Sequence, residues 1–156
     1  MKPYALAIIA CSASKLDKAA PARDLYTGAL FKASLAVAEA LSDRVVILSA
    51  KHGVLELDAV VEPYDVALAS MDKSQRLIWG DMVARALLKV LGIKDRTNIK
   101  ECEAASERVL CLAPGSYVKC IGHLYGRGKW SMPLEGLGIG QQKKHLATML
   151  ERREAA

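Results

Sequence analysis

Apolar and polar positions along the chain follow two rhythms. Residues 4–10 form an almost unbroken apolar run that ends at a polar loop, the pattern of a strand buried on both faces. Arg44 to Ala50, with Val45-Val46-Ile47-Leu48 inside it, repeats that pattern, and Val109 to Ala113 gives a third such strand. Between them the spacing is helical. Leu30, Ala33, Leu35, Val37, Ala38 and Leu41 predict a helix over 30–41. Leu77, Ile78, Val83, Ala84, Leu87, Leu88 and Leu91 predict a longer one over 74–91, with Gly92 as its stop. Tyr117 to Leu124 predicts a short helix and Gln141 to Arg153 a closing one. Pro21 to Thr27 reads as irregular, Lys94 to Glu107 as a loop or ragged turn, and 126–140 as a glycine-rich loop. No internal repeat interrupts this order. Strand and helix alternate, which implies right-handed crossovers and a compact three-layer α/β domain with a mainly parallel central sheet over residues 1–156.

Composition narrows the class without changing the fold. Apolar residues make up 52% of 156 and aromatic ones only 5%, so the core is built from Ala, Val, Leu and Ile. The first apolar run is too short to span a bilayer and reads better as a strand than as a signal peptide, so no membrane partner is expected. Cys11, Cys102, Cys111 and Cys120 form no C-x-x-C pair, which argues for reduced thiols in a cytoplasmic protein with no metal site and no cofactor. The net charge of +5 is uneven. Residues 1–78 are neutral, and the whole excess lies in residues 79–156. Between Gly115 and His145 five basic residues face a single acid, Glu135, and this basic half is where an anionic partner is expected.

The chemistry is expected beyond the carboxyl ends of the strands, where a crevice opens in sheets of this kind. Three polar loops follow the three strands: Cys11-Ser12-Ala13-Ser14-Lys15, Ser49-Ala50-Lys51-His52-Gly53 and Pro114-Gly115-Ser116-Tyr117. Hydroxyls, two lysines, a histidine and a Gly-Ser turn converging there would suit an anion or a nucleobase. Glu62 and Asp65 flank Pro63-Tyr64, two carboxylates and an aromatic able to hold a base and activate water. The glycines at 136, 138 and 140 follow a loop rather than a strand and so fail the context of a dinucleotide-binding turn.

Several of these segments together resemble a known group. Cys11-Ser12-x-Ser14-Lys15, Pro21-Ala22-Arg23-Asp24-Leu25-Tyr26-Thr27-Gly28-x-x-Phe31, Leu48 to Leu55 and Glu62 to Asp65 are similar to a small bacterial and phage domain family. That family is allied to the YaaA-type peroxide-stress proteins and the core domain of archaeosine synthase. Through them it is allied to the uracil-DNA-glycosylase-like fold. The match is strong over residues 8–68; Pro114 to Tyr117 and the segment around Gln141 extend it loosely. The archaeosine-type motif continues from its Cys as Lys-Pro-Tyr, whereas here Cys11 and Lys15 alone agree.

The resemblance implies work on modified nucleobases in DNA or tRNA, and the expectation is a DNA glycosylase. Asp65 or Glu62, with Asp24 behind them, would orient water or stabilise the sugar cation. His52 or Lys51 would bind the leaving base, and Tyr64 or Tyr26 would stack on it beside Cys11 and Ser12. Ser14, Lys15, Arg23, Gly115, Ser116 and Gln141 would hold phosphates, and Lys129-Trp130 would reach the strand or wedge into the gap left by the flipped base. Two other classes fit the same residues: a transferase or hydrolase acting on a tRNA base or free nucleotide, and a non-catalytic nucleic-acid-binding module.

Overall fold

The computed structural model describes residues 1–156. Its centre is a four-stranded sheet in the order β4-β3-β1-β6, formed by β1 (Tyr4–Ala10), β3 (Ser42–Ser49), β4 (Gly53–Glu56) and β6 (Val109–Cys111). β1 pairs in parallel with β3 and with β6. Each central strand feeds both faces, because successive side chains point opposite ways. Leu6 and Ile8 enter one core with Val46, Leu48, Val109 and Cys111, while Ala7 and Ile9 enter the other with Val45, Ile47 and Leu110. That is why these segments read as continuous apolar runs.

Helices cover both faces. α2 (Ala29–Leu41) packs against α6 (Ile139–Ala155) over the second core, while α3 (Lys73–Val90) and α4 (Ile99–Ser106) close the first. α3 starts at a reciprocal cap in which the Asp72 carboxylate accepts the Gln75 N–H and the Gln75 amide oxygen accepts the Asp72 N–H. No helix is long and apolar enough to cross a membrane.

The sheet is mainly parallel as expected, with one antiparallel strand, β4, which turns back on β3 through a hairpin and begins at Gly53, φ +75°. Three expectations need correction. The 94–107 segment contains a helix, α4. Its start is capped by the Asn98 side chain on the Glu101 N–H, and its turns bury Cys102 and Ser106 among polar neighbours that hid the stripe. The segment expected to be irregular, 21–27, is mostly regular: β2 (Ala20–Pro21) pairs antiparallel with β5 (Val60–Val61), and α1 (Ala22–Leu25) makes one turn. The helix expected over 117–124 is the single turn α5 (Gly115–Val118). It cannot continue because residues 120–122 lie directly on α3. A Cβ at Gly80 would stand 1.5 Å from the Cys120 carbonyl oxygen, and the Gly122 N–H donates to the Gly80 carbonyl at 2.9 Å.

Candidate functional site

At the carboxyl end of β1 the chain leaves the sheet at Cys11, and a pocket of about 560 Å³ opens there. One wall is the Cys11–Lys15 loop and another is α5 with the turn after it, which contributes Ser116, Tyr117, Lys119 and Cys120. The third is the extended segment from Asp65 to Ala69, with Arg76 of α3 behind it. Lys15, Arg76 and Lys119 therefore border one cavity with a single carboxylate, Asp65. Neither Lys15 nor Lys119 is in an ion pair, and the balance favours a bound anion.

Buried hydroxyls hold the carboxylate's segment in place. The Tyr64 hydroxyl lies 2.6 Å from both the Tyr26 hydroxyl and the Ser49 Oγ, and Ser49 Oγ also accepts the His52 backbone N–H at 3.0 Å. Trp79 Nε1 donates to the Ser49 carbonyl at 2.9 Å, tying the end of β3 to α3. Tyr64 directly precedes Asp65, so the chain of hydroxyls fixes one end of the segment. The Arg76 guanidinium fixes the other by donating to the carbonyls of Leu68 and Ala69. Burial pushes the Tyr26, Tyr64 and Tyr117 hydroxyls above the usual tyrosine range, so all three stay protonated near neutral pH. The Tyr117 hydroxyl lies 3.4 Å from the Cys11 Sγ at the pocket, with Trp79 edge-on to its ring.

Lys15 lies over the Tyr64 ring, its Nζ 4.5 Å from the centroid, and Lys51 approaches the same ring at 5.8 Å. Lys51 and Asp65 also border a neighbouring apolar groove of about 540 Å³ against Met71, Ile78, Trp79 and Met82. All four cysteines are free thiols, and burial raises that of Cys111 to about 11. No three His, Cys, Asp or Glu side chains cluster as ligands for a metal ion.

The sequence candidates divide sharply. Cys11, Ser12, Lys15, Asp65 and Ser116 come together at the pocket, and Tyr64 stands just behind it. Ser14 lies on the same loop but is exposed, and its carbonyl accepts from Ser12 Oγ and the Thr27 N–H. His52 is in the hairpin turn, outside the pocket lining, and Gly115 borders a separate cavity of about 180 Å³. Tyr26 is 1% exposed, so its ring has no face for a base to stack on. Glu62 and Asp24 are exposed and border none of these pockets. Arg23 is committed to Glu39 at 2.8 Å and Asp58 at 3.2 Å, fastening α1 to its neighbours. The Gln141 side chain accepts the Gly138 N–H at the start of α6.

The basic glycine-rich segment is not a free arm. Ser131 bridges to Leu110 and covers the outer edge of β6, and Trp130 beside it is 6% exposed within the core. Lys129 donates to Glu107 at 3.0 Å and lies 4.0 Å from Glu103, and these carboxylates raise its pKa. Arg76, Lys119 and the Tyr117 hydroxyl are the pocket groups that the sequence candidates leave out. Lys119 counted only toward the basic excess, and Arg76 sits on α3 with no local signal that distinguishes it from a solvated helix charge. No curated protein matches the sequence. Residues 6–148 match the family of unknown function DUF6884, nearly the whole domain including every wall of the pocket, and the chain belongs to that family.

Proposed function

We propose that the protein is an N-glycosidase of the DNA-glycosylase class, which takes one nucleotide unit carrying a modified base into the pocket after β1. The observation that carries this reading is the pairing of one carboxylate, Asp65, with three cations around a cavity of nucleotide size. Its kinship, by resemblance, is with the uracil-DNA-glycosylase-like fold and with proteins that handle modified bases, and free thiols suit a cytoplasmic setting. Hydrolysis adds water across the bond from C1′ of the sugar to the base nitrogen. Asp65 accepts hydrogen bonds from that water and stabilises positive charge developing on the sugar. The departing base leaves with a proton, and the Tyr117 hydroxyl, kept protonated by burial, is placed to hydrogen-bond it. Lys15, Arg76 and Lys119 hold the phosphate.

A second reading, hydrolysis of a free nucleotide, draws support from one observation: the buried Trp130 and the paired Lys129 leave no wedge beside the pocket. Incubation with duplex DNA carrying different modified bases, followed by alkali, separates the two. Strand breaks support the DNA substrate, and base release from nucleoside monophosphates alone supports the other. Asp65→Asn should lower turnover about a hundredfold to ten-thousandfold with folding intact. Full activity in that variant would remove the assignment.

A further inference from the structure

On the other side of the β1 terminus lies a cavity of about 350 Å³ that the proposed chemistry does not use. Cys11 and Ser12 border both spaces, so only the first residues after β1 separate them. Two long helices begin here. Gly28 to Phe31 bring the start of α2 to the cavity wall, and Ile139 brings the start of α6. Both cap positions are glycines, Gly28 and Gly138, and no side chain satisfies the first-turn N–H groups of either helix. Those groups carry the positive ends of two helix dipoles.

A second, independent feature faces the same space. Ser34, one turn into α2, borders the cavity, is only 5% exposed, and its hydroxyl has no hydrogen-bond partner in the protein. Its oxygen is open to the cavity rather than sealed in the core, so a ligand there can complete it. Lys143, one turn into α6, is the one charged residue bordering the cavity, and it makes no ion pair. No carboxylate borders the space. The Ser12 Oγ accepts the Gly28 N–H at 3.2 Å, which ties the loop between the two cavities to the start of α2.

The geometry points to a phosphate-binding subsite in this cavity, in which the first-turn amides of α2 and α6, the Ser34 hydroxyl and Lys143 hold one phosphate ester. Donors arriving from two helices and two side chains suit an anion with several acceptor oxygens. The walls supplied by Phe31, Leu112 and Ile139 suit the apolar face of the attached nucleoside better than a bare ion. The subsite stands on its own geometry. Its consequence for substrate class rests on the glycosidase reading: with phosphates on both sides of Cys11-Ser12, the substrate is a strand rather than a mononucleotide.

The test is amide NMR on the full chain with inorganic phosphate, then with thymidine 5′-monophosphate and a 5′-phosphorylated thymidine dinucleotide. Inorganic phosphate should shift the amides of Ala29 to Phe31 and Ile139 to Gln141. Ser34→Ala and Lys143→Gln should each weaken that binding about tenfold, the size of a hydrogen bond to a charged group. Lys144→Gln, on the next and exposed residue outside the cavity lining, should leave it unchanged. The dinucleotide should bind about tenfold tighter than the mononucleotide and lose that advantage in Lys143→Gln. Silence at the two helix starts, or full affinity in both variants, overturns the subsite. Equal affinity for the two nucleotides overturns the strand assignment and makes the occupant a separate phosphorylated small molecule. Phosphate shifts in a protein that releases no base would sink the glycosidase reading and leave the subsite standing.

Discussion

Lys15 and Lys129 stand in segments of similar promise in the sequence: short, polar, cationic and close to an aromatic residue. The folded chain uses them in opposite ways. Lys15 lies against Tyr64 in no ion pair and borders the pocket, whereas Lys129 is shared between Glu107 and Glu103 beside a buried tryptophan. The first remains available to a ligand and the second is spent on holding α4 to the loop before Ser131. A surplus of basic residues in one half of a sequence therefore does not locate an anion site. What locates it is whether each cation already has a carboxylate, which tertiary structure decides.

The strongest way to break this contrast is at Trp130. A wedge for opened DNA would be exposed and removable at no cost to folding. Trp130 instead belongs to the first core, the same buried cluster as Val109, Ile121 and Leu124, and its Nε1 has no partner there. Trp130→Ala should cost about 3 to 5 kcal/mol of stability, as large aromatic truncations in cores do. Chemical denaturation followed by circular dichroism measures it. A loss below about 1 kcal/mol, with weakened DNA binding, would return the residue to the nucleic-acid interface.

The central strands were legible because each is buried on both sides, and a run such as Val45-Val46-Ile47-Leu48 has little other use. The position of the crevice follows from the order of elements, and that order alone brings Cys11, Lys15 and Ser116 to it. What stayed hidden depends on distant partners. β2 and β5 are two residues each and pair across some forty positions, too short for any periodicity. Nothing near Arg76 announces that its guanidinium anchors Leu68 and Ala69, and nothing near Tyr26 says that its hydroxyl is taken by Tyr64. Asp65 and Glu62 are equivalent in the sequence, and only the fold places one of them at the pocket.

A direct substitution test of the two lysines gives a smaller effect than Trp130→Ala. Lys15→Ala should weaken binding of a nucleoside monophosphate about tenfold, since a charge-assisted contact is lost. It should also flatten the salt dependence of DNA binding by about one unit of slope. Lys129→Ala should change neither, because its charge is already neutralised by two carboxylates. Isothermal titration at several salt concentrations reads both quantities. Equal effects from the two substitutions would erase the distinction between them.

The smallest expected effect concerns His52, which lies beside the region of Lys15 rather than in the pocket. Its ring meets Tyr64 edge-on at 5.3 Å, and its pKa is held below the usual histidine value of 6.5, first by partial burial and then by the charge of Lys51. The folded protein therefore binds this proton less readily than the unfolded chain. Wherever the unfolded chain holds more protons, stability rises with pH, so His52 costs nothing well above pH 6.5. As the pH falls through 6.5 toward the lowered value, that contribution turns unfavourable. His52→Gln should flatten the fall in stability over that window. Lys51→Gln should raise the imidazole pKa only part of the way, because burial is the larger cause and remains. The imidazole C–H shifts followed by NMR across pH 4 to 8 measure both. Full recovery in Lys51→Gln would mean that the lysine charge, rather than packing against Tyr64, sets the electrostatics on this side of the pocket, and a titration at or above 6.5 in the native protein would mean that neither acts on this imidazole.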